Sequence, residues 1–309
     1  MKVNKVLILS ELKSRKRREI PNAFRIYKAF QFLGYEATFM NHSEFAVEPI
    51  KNFDLILSFA TLFAPTNLQQ AKILFDNKSV NSHLALWYFD LCNPNYDSRK
   101  FETIKRSLPY VDWLFTTDHS YPWENHIQNY RHLMQGVEPN DFDYDIQPAE
   151  LRKSEVVFTG AFNHKFLERM RQLELLKLNF SVDVYGIPAS TRVYGRNFFE
   201  AYQKAKIGFV PAPSAEMSNN YWSNRVYVAT ATGTPCVVGY VKGLEKHFEN
   251  NKEVLFYNSD DELMDCVRRL LASPELRNSI GLAGRIRTLT EHTYAERVKY
   301  LVKEIESGE

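Results

Sequence analysis

The chain has 309 residues, 44% hydrophobic and 25% charged, a globular profile long enough for about two domains and for a core that needs neither disulfides nor metals. Its 39 Lys and Arg against 37 Asp and Glu leave a formal charge of +2, which excludes a histone-like electrostatic binder. Cys92, Cys236 and Cys266 are far apart and form no Cys-x-x-Cys pair, so a reducing compartment, the cytoplasm, is expected. No apolar run reaches the ~18–20 residues of a membrane span, and the N-terminal apolar run reads as a buried strand rather than a signal peptide.

Residues 6–9 predict a strand. Phe24, Tyr27, Ala29, Phe30 and Leu33 fall at helical spacing and predict a helix over 21–33, stopped by Gly34 as a left-handed cap. Strands follow at 36–40, 55–57, 84–89 and 113–116. Each is a short, nearly continuous apolar run, suited to burial on both faces by helices. At 135–148 the pattern breaks in the turn-rich Gly136-Val137-Glu138-Pro139-Asn140-Asp141-Phe142, and Pro148 follows; a domain boundary is expected at 145/146. The rhythm then restarts with strands at 156–158, 182–185, 207–210, 236–238 and 255–257. Helices are predicted at 166–178, 198–205, 226–232, 262–271, 274–290 and 295–306. The expected fold is α/β: two Rossmann-like domains, 1–145 and 146–294, facing across a cleft, with ligands beyond the carboxyl ends of the strands.

The second half resembles the nucleotide-sugar glycosyltransferases of the GT-B architecture, most of all the group 1 and spore-maturation-protein-like families. The residues that carry the resemblance are Val157-Phe158-Thr159-Gly160, Val184-Tyr185-Gly186, Asn224-Arg225-Val226-Tyr227 and Ala231-Thr232-Gly233-Thr234-Pro235-Cys236-Val237-Val238, with Glu253-Val254-Leu255-Phe256-Tyr257 and His292-Thr293-Tyr294 after them. It holds from about residue 131 to 302; over the first 130 residues it rests on strand order and Asp90. The turn 231–238 also resembles the phage α-glucosyltransferases that modify bases in DNA. The resemblance implies an N-terminal acceptor domain, a C-terminal donor domain and a last helix, 295–309, packing back on the first domain. It implies transfer of a hexosyl or pentosyl group from a nucleoside-diphosphate sugar, bound as substrate, to a hydroxyl of a saccharide or of modified DNA, with no cofactor and no metal. One feature departs from the group 1 pattern. Its two donor-site glutamates, eight residues apart, are replaced here by Asn220 and Val228, and Val228 cannot accept the ribose hydroxyls. The rival expectation is therefore a degenerate member that binds a nucleotide or glycan without turnover.

Gly160, His164 and Lys165 lie between a strand and a helix, where backbone amides and a lysine suit phosphate; Gly186 ends the next strand. Asn220, Ser223, Asn224 and Arg225 precede a helix. They either cap it or bind sugar and diphosphate, Arg225 bidentately. Tyr221 and Trp222 can stack on a base or sugar, or belong to the core. Asp90 and His119 end strands of the first domain and are the candidate catalytic bases. The run Lys13-Ser14-Arg15-Lys16-Arg17-Arg18 is either a solvated loop or, through Arg15, Lys16, Arg17 and Arg18, a rim that binds an anionic acceptor. Asp141, Asp143 and Asp145 fall in the linker and are not read as a metal site, and the histidines show no metal spacing.

Overall fold

The computed structural model describes residues 2–10, 22–41, 50–59, 67–95, 98–148, 151–160, 167–186, 188–212 and 221–308. The chain divides into two compact units, Met1–Gln135 with Tyr294–Glu309, and Gly136–Thr293.

The first unit contains β1 (Lys5–Ser10), α1 (Asn22–Phe32), β2 (Glu36–Asn41), β3 (Leu55–Ser58), α2 (Leu68–Asn77), β4 (His83–Tyr88), α3 (Ser98–Ser107), β5 (Trp113–Thr116) and β6 (Tyr130–His132). Its strands pair in the order β2-β1-β3-β4-β5-β6, all parallel. Successive side chains of a strand point to opposite faces, so Val6 and Ile8 join one core with Trp87 and Phe115. Leu7 and Leu9 join the other with Leu84 and Leu114. That two-sided burial explains why these strands read as unbroken apolar runs. α1 buries Ala23, Ile26, Ala29 and Phe30; Gly34, at φ 88°, ends its turn where a Cβ would be strained. β6, the three residues Tyr-Arg-His, carries no apolar run and was not expected from the sequence.

The terminal helix belongs to this first unit. It lays Val298, Leu301, Val302 and Ile305 on the core that holds Val6 and Trp113, and Glu306 Oε1 accepts the Val3 N–H at 2.8 Å. Arg131 pairs with Glu304, and Arg297 Nε donates to the Met134 carbonyl at 3.1 Å.

The second unit contains β7 (Ser154–Thr159), α4 (Leu167–Asn179), β8 (Val182–Tyr185), α5 (Arg196–Gln203), β9 (Ala205–Val210), α6 (Arg225–Ala231), β10 (Cys236–Gly239), β11 (Leu255–Tyr257), α7 (Asp260–Ala272) and α8 (Pro274–Glu291); the terminal helix of the first unit is α9 (Tyr294–Ser307). The order is β11-β10-β9-β7-β8, again parallel. The unit starts at Gly136: the Val137 N–H donates to the His292 carbonyl at 2.9 Å, and Val137 bridges Thr293. The core joins Val156, Phe158, Ile207, Phe209, Val237 and Leu255 to Leu173 and Leu176 of α4 and to Leu263, Val267 and Leu270 of α7. α7 and α8 start on Ser259 and Ser273, whose hydroxyls accept the N–H of Glu262 and Leu276, a stop-and-restart signal that serine spacing encodes. α8 approaches α6 through glycine: a Cβ on Gly281 would meet the Gly233 carbonyl oxygen.

Candidate functional site

In the second sheet the chain runs from β7 outward to β8, then returns to the other side of β7 for β9. That reversal is the topological switch point, where open α/β sheets bind ligands beyond the strand carboxyl ends. Gly160 stands at the carboxyl end of β7 and Gly186 at that of β8.

Neither glycine keeps a free amide for a ligand. The Gly160 N–H donates to the Tyr185 carbonyl at 2.9 Å, and the Gly186 N–H donates to Thr191 Oγ1 at 2.9 Å. What they supply is space. A Cβ on Gly186 would fall 2.5 Å from the Gly160 carbonyl oxygen, at a φ of 99°. A Cβ on Gly160 would fall 2.8 Å from Arg225 Nη2. The two glycines let the backbones and the guanidinium close on one another.

Arg225 is the first residue of α6. Its guanidinium carbon lies 5.5 Å from the centre of the Phe158 ring, a cation–π contact. Its Nη1 is closed off from solvent and has no hydrogen-bond partner among the described residues; the same holds for the neighbouring Asn224 Oδ1. Burial pushes the guanidinium below its ordinary pKa, and the Tyr202 and Tyr221 hydroxyls act weakly the other way. Arg225 as a whole is half-buried, but a solvent-excluded guanidinium nitrogen with no hydrogen-bond partner among the described residues is costly, and an anion relieves it.

The neighbours of Arg225 divide between the two sequence expectations. Ser223 Oγ accepts the Arg225 N–H at 3.3 Å, the capping role. Asn224 makes no capping bond, so its amide oxygen is left over. Trp222 is buried, and its Nε1 donates to the Tyr227 hydroxyl at 2.9 Å; it is a core residue rather than a base platform. Tyr227 in turn bonds His247 Nδ1 at 2.9 Å, which fixes the inner face of α6. Val228 is half-buried on the same helix, with no carboxylate to offer.

In the first unit β4 and β5 are neighbours in parallel register, so Asp90 and His119 follow adjacent strands at one sheet edge. The Asp90 carboxylate takes Lys100 Nζ at 3.0 Å, with Asp90 more than half exposed and Lys100 about a third. Asp118 is fully buried and accepts the Cys92 N–H at 2.8 Å and the Ser120 N–H at 2.9 Å, so it serves the loops. His119 is exposed. Its Nδ1 lies 2.9 Å from the Tyr130 hydroxyl, and its ring stacks on Tyr130 with 12° between the planes. His132 lies next to it, ring centres 5.5 Å apart. Burial pushes His132 down to about 4, against a weaker upward pull from the Thr117 carbonyl.

Arg15, Lys16, Arg17, Arg18, His164, Lys165 and Asn220 lie outside the described residues. Tyr130 and His132 were missed in the sequence. Only a three-residue strand without apolar pattern carries them, and no single-sequence signal marks it.

Residues 155–303 match the family model described as "Glycosyl transferase-like". The matched segment is similar to that family over just under half of the chain. It spans β7 through α8 and part of α9, and so includes Gly160, Gly186 and Arg225. Solved glycosyltransferases match the whole length. An α-glucosyltransferase in complex with UDP-glucose and DNA is 10% identical, with 98% of this chain and 99% of that one covered and a TM-score of 0.74. Sucrose-phosphate synthase from Thermosynechococcus elongatus is 12% identical, with 99% and 100% covered and a TM-score of 0.67. Anabaena HepE in complex with UDP and glucose is 9% identical, with 98% and 100% covered and a TM-score of 0.65. No curated protein matches in sequence. The chain thus shares the GT-B fold of these structures, two parallel α/β sheets. Among its described residues no helix is long and apolar enough to cross a membrane.

Proposed function

We propose that the chain transfers a glycosyl group from a uridine-diphosphate sugar to an acceptor hydroxyl. The observation that carries this reading is Arg225: a guanidinium whose Nη1 is solvent-excluded and has no hydrogen-bond partner among the described residues, beside the glycine pair at the switch point. An anionic diphosphate satisfies it, and several solved structures of this fold hold UDP or UDP-glucose. In the reaction the acceptor oxygen bonds to the anomeric carbon, the bond from that carbon to the diphosphate oxygen breaks, and its electron pair leaves with UDP. Arg225 then meets the charge that develops on the leaving group, and transfer is expected to persist in EDTA. His164, Lys165, Ser223, Asn220 and Asn224 complete the donor set in this reading. Of the two acceptor-side candidates, Asp90 and His119, His119 is read as the base.

The acceptor is read as a saccharide, because a net charge of +2 gives no broad basic field for a duplex. Duplex DNA, bound through Arg15, Lys16, Arg17 and Arg18, is the outcome that would displace it. It would reveal itself as affinity falling with salt at a slope near −0.9 per phosphate neutralised. Three buried free cysteines fit a cytoplasmic site of action.

Val228 favours a second reading, binding without turnover. Calorimetry with UDP and with uridine, together with release of UDP from UDP-glucose, tests both. UDP bound far more tightly than uridine, with UDP released, supports transfer; UDP bound without any release supports the degenerate binder. Equal affinity for UDP and uridine would refute the diphosphate assignment.

A further inference from the structure

Thr116, at the carboxyl end of β5, and Tyr130, the first residue of β6, belong to a chain of hydrogen bonds whose direction is fixed by counting hydrogens. Thr116 Oγ1 donates to the Asp118 carbonyl at 2.7 Å. A threonine hydroxyl has one hydrogen, so toward Tyr130, whose hydroxyl lies 3.2 Å away, Thr116 can only accept. The single phenolic hydrogen of Tyr130 therefore goes to Thr116. Toward His119 Nδ1, at 2.9 Å, Tyr130 has only lone pairs left. The hydrogen of that bond must come from the imidazole. In a neutral ring with Nδ1 protonated, Nε2 carries the lone pair. No hydrogen bond to Nε2 occurs among the described residues, and the side chain is exposed.

We infer that Thr116 and Tyr130 hold His119 in its Nδ1–H tautomer, so that Nε2 presents a lone pair to a hydroxyl of the substrate. The inference rests on the reading that the first unit serves the acceptor. Thr116 and Tyr130 are positioning residues; neither needs to touch substrate.

The groups around the chain preserve its direction. Tyr130 is buried, and burial raises its phenol far above the range where it would ionise. Asp118 and Glu124 add to that rise, and both carboxylate oxygens of Asp118 are held by backbone amides. Cys92, beside Asp118, is likewise kept as a thiol by burial. His132, from β6, bonds the Thr117 carbonyl through Nε2 at 3.2 Å, so that nitrogen carries its hydrogen, and the ring stays neutral at ordinary pH. Arg297 acts on His132. Among the described residues, no ionised group hydrogen-bonds to Tyr130 or His119 to reverse the hydrogens.

The test is nitrogen-15 NMR of the histidine rings in the full chain, assigned through His119→Gln. His119 is expected to show a protonated Nδ1 and an unprotonated Nε2 near pH 8. Thr116→Val removes the group that takes the phenolic hydrogen. Tyr130 then donates to Nδ1 and the ring changes to the Nε2–H form, although Thr116 does not touch His119. Tyr130→Phe removes the preference from the other side. With UDP-glucose as donor and a free saccharide as acceptor, Thr116→Val and Tyr130→Phe should each lower kcat about tenfold and leave UDP affinity unchanged, a factor that corresponds to one hydrogen bond. A native His119 found as Nε2–H, or a tautomer that Thr116→Val does not change, overturns the inference. Full transfer by His119→Gln or His119→Ala overturns the role of Nε2. Absence of UDP release by the native chain instead sinks the transferase reading, and the tautomer signal tells the two failures apart.

Discussion

At the carboxyl edge of the second sheet, Arg225 has a closed-off Nη1 with no partner among the described residues. At the carboxyl edge of the first sheet, Asp118, Thr116, Tyr130 and His119 are linked bond by bond until one ring nitrogen is left. The two edges solve different chemical problems. A site that must take up a charged ligand keeps an unsatisfied charge, because desolvating the cation in advance makes its later pairing stronger. A site that must accept a hydroxyl keeps a neutral lone pair, and neutrality is maintained by satisfying everything behind it. The second unit is thus expected to respond to anions, and the first to proton balance.

The largest test of this contrast lies in the glycine pair. Gly186→Ala puts a Cβ against the Gly160 carbonyl at a backbone φ of 99°. Left-handed strain and overpacking together should cost roughly 2–5 kcal/mol. The loss should appear in the second unit alone, as faster amide exchange in β7 and β8 while β4 and β5 keep their protection. Uniform loss across both sheets would mean that the units do not respond independently.

Acid should act on the first unit. His132 titrates near 4 in the folded state against an ordinary 6.5, so between those values the unfolded chain binds more protons. Stability then rises with pH across the window, and is lost as pH falls from about 6.5 through 4. With some relief from partial exposure the loss is about 2–3 kcal/mol. Urea melts at pH 7 and pH 4.5 measure it, and His132→Gln should flatten the slope. An unchanged slope would remove His132 as the cause.

Arg225→Ala should weaken UDP by about 1.5–3 kcal/mol, the worth of a charge-assisted hydrogen bond, and should not lower the melting temperature, since it deletes a cation with an unpaired Nη1. Calorimetry and a thermal melt decide it together. Unchanged UDP affinity would leave the unpaired guanidinium without a ligand.

Much of this was legible in the sequence, for a physical reason. Central strands buried on both faces are almost continuously apolar, so β1, β3, β4, β5, β7, β9 and β10 announce themselves. Gly160 was read as a place of close backbone approach and Arg225 as an arginine working against a helix dipole, while Gly186 came from the resemblance alone. The Thr116–Tyr130–His119 chain was not legible. Its members come from two strands and a loop, brought together only by the register that sets Thr116 opposite His132. No spacing along one chain encodes such a register when β6 is three residues of Tyr-Arg-His.

The smallest effect is expected at Asp90. Both candidate bases follow neighbouring strands, and the sequence offered nothing to rank them. The structure shows Asp90 shared with Lys100 at 3.0 Å, in an exposed pair, whereas His119 Nε2 has no hydrogen bond among the described residues. An exposed ion pair contributes about 0–1 kcal/mol, so Asp90→Asn should leave stability nearly unchanged. The Asp90 carboxylate is already engaged by an ammonium, whereas the His119 Nε2 lone pair is not engaged among the described residues. Turnover with UDP-glucose should therefore change little in Asp90→Asn, while a general base, if deleted, would cost about 10²–10⁴-fold. Lys100→Met separates charge from geometry: it frees Asp90 without altering His119. If Asp90→Asn alone lost a hundredfold and Lys100→Met changed the pH profile, Asp90 would be the acceptor-side base and His119 a bystander, and the contrast between a satisfied first edge and an unsatisfied second one would fail at its weakest point.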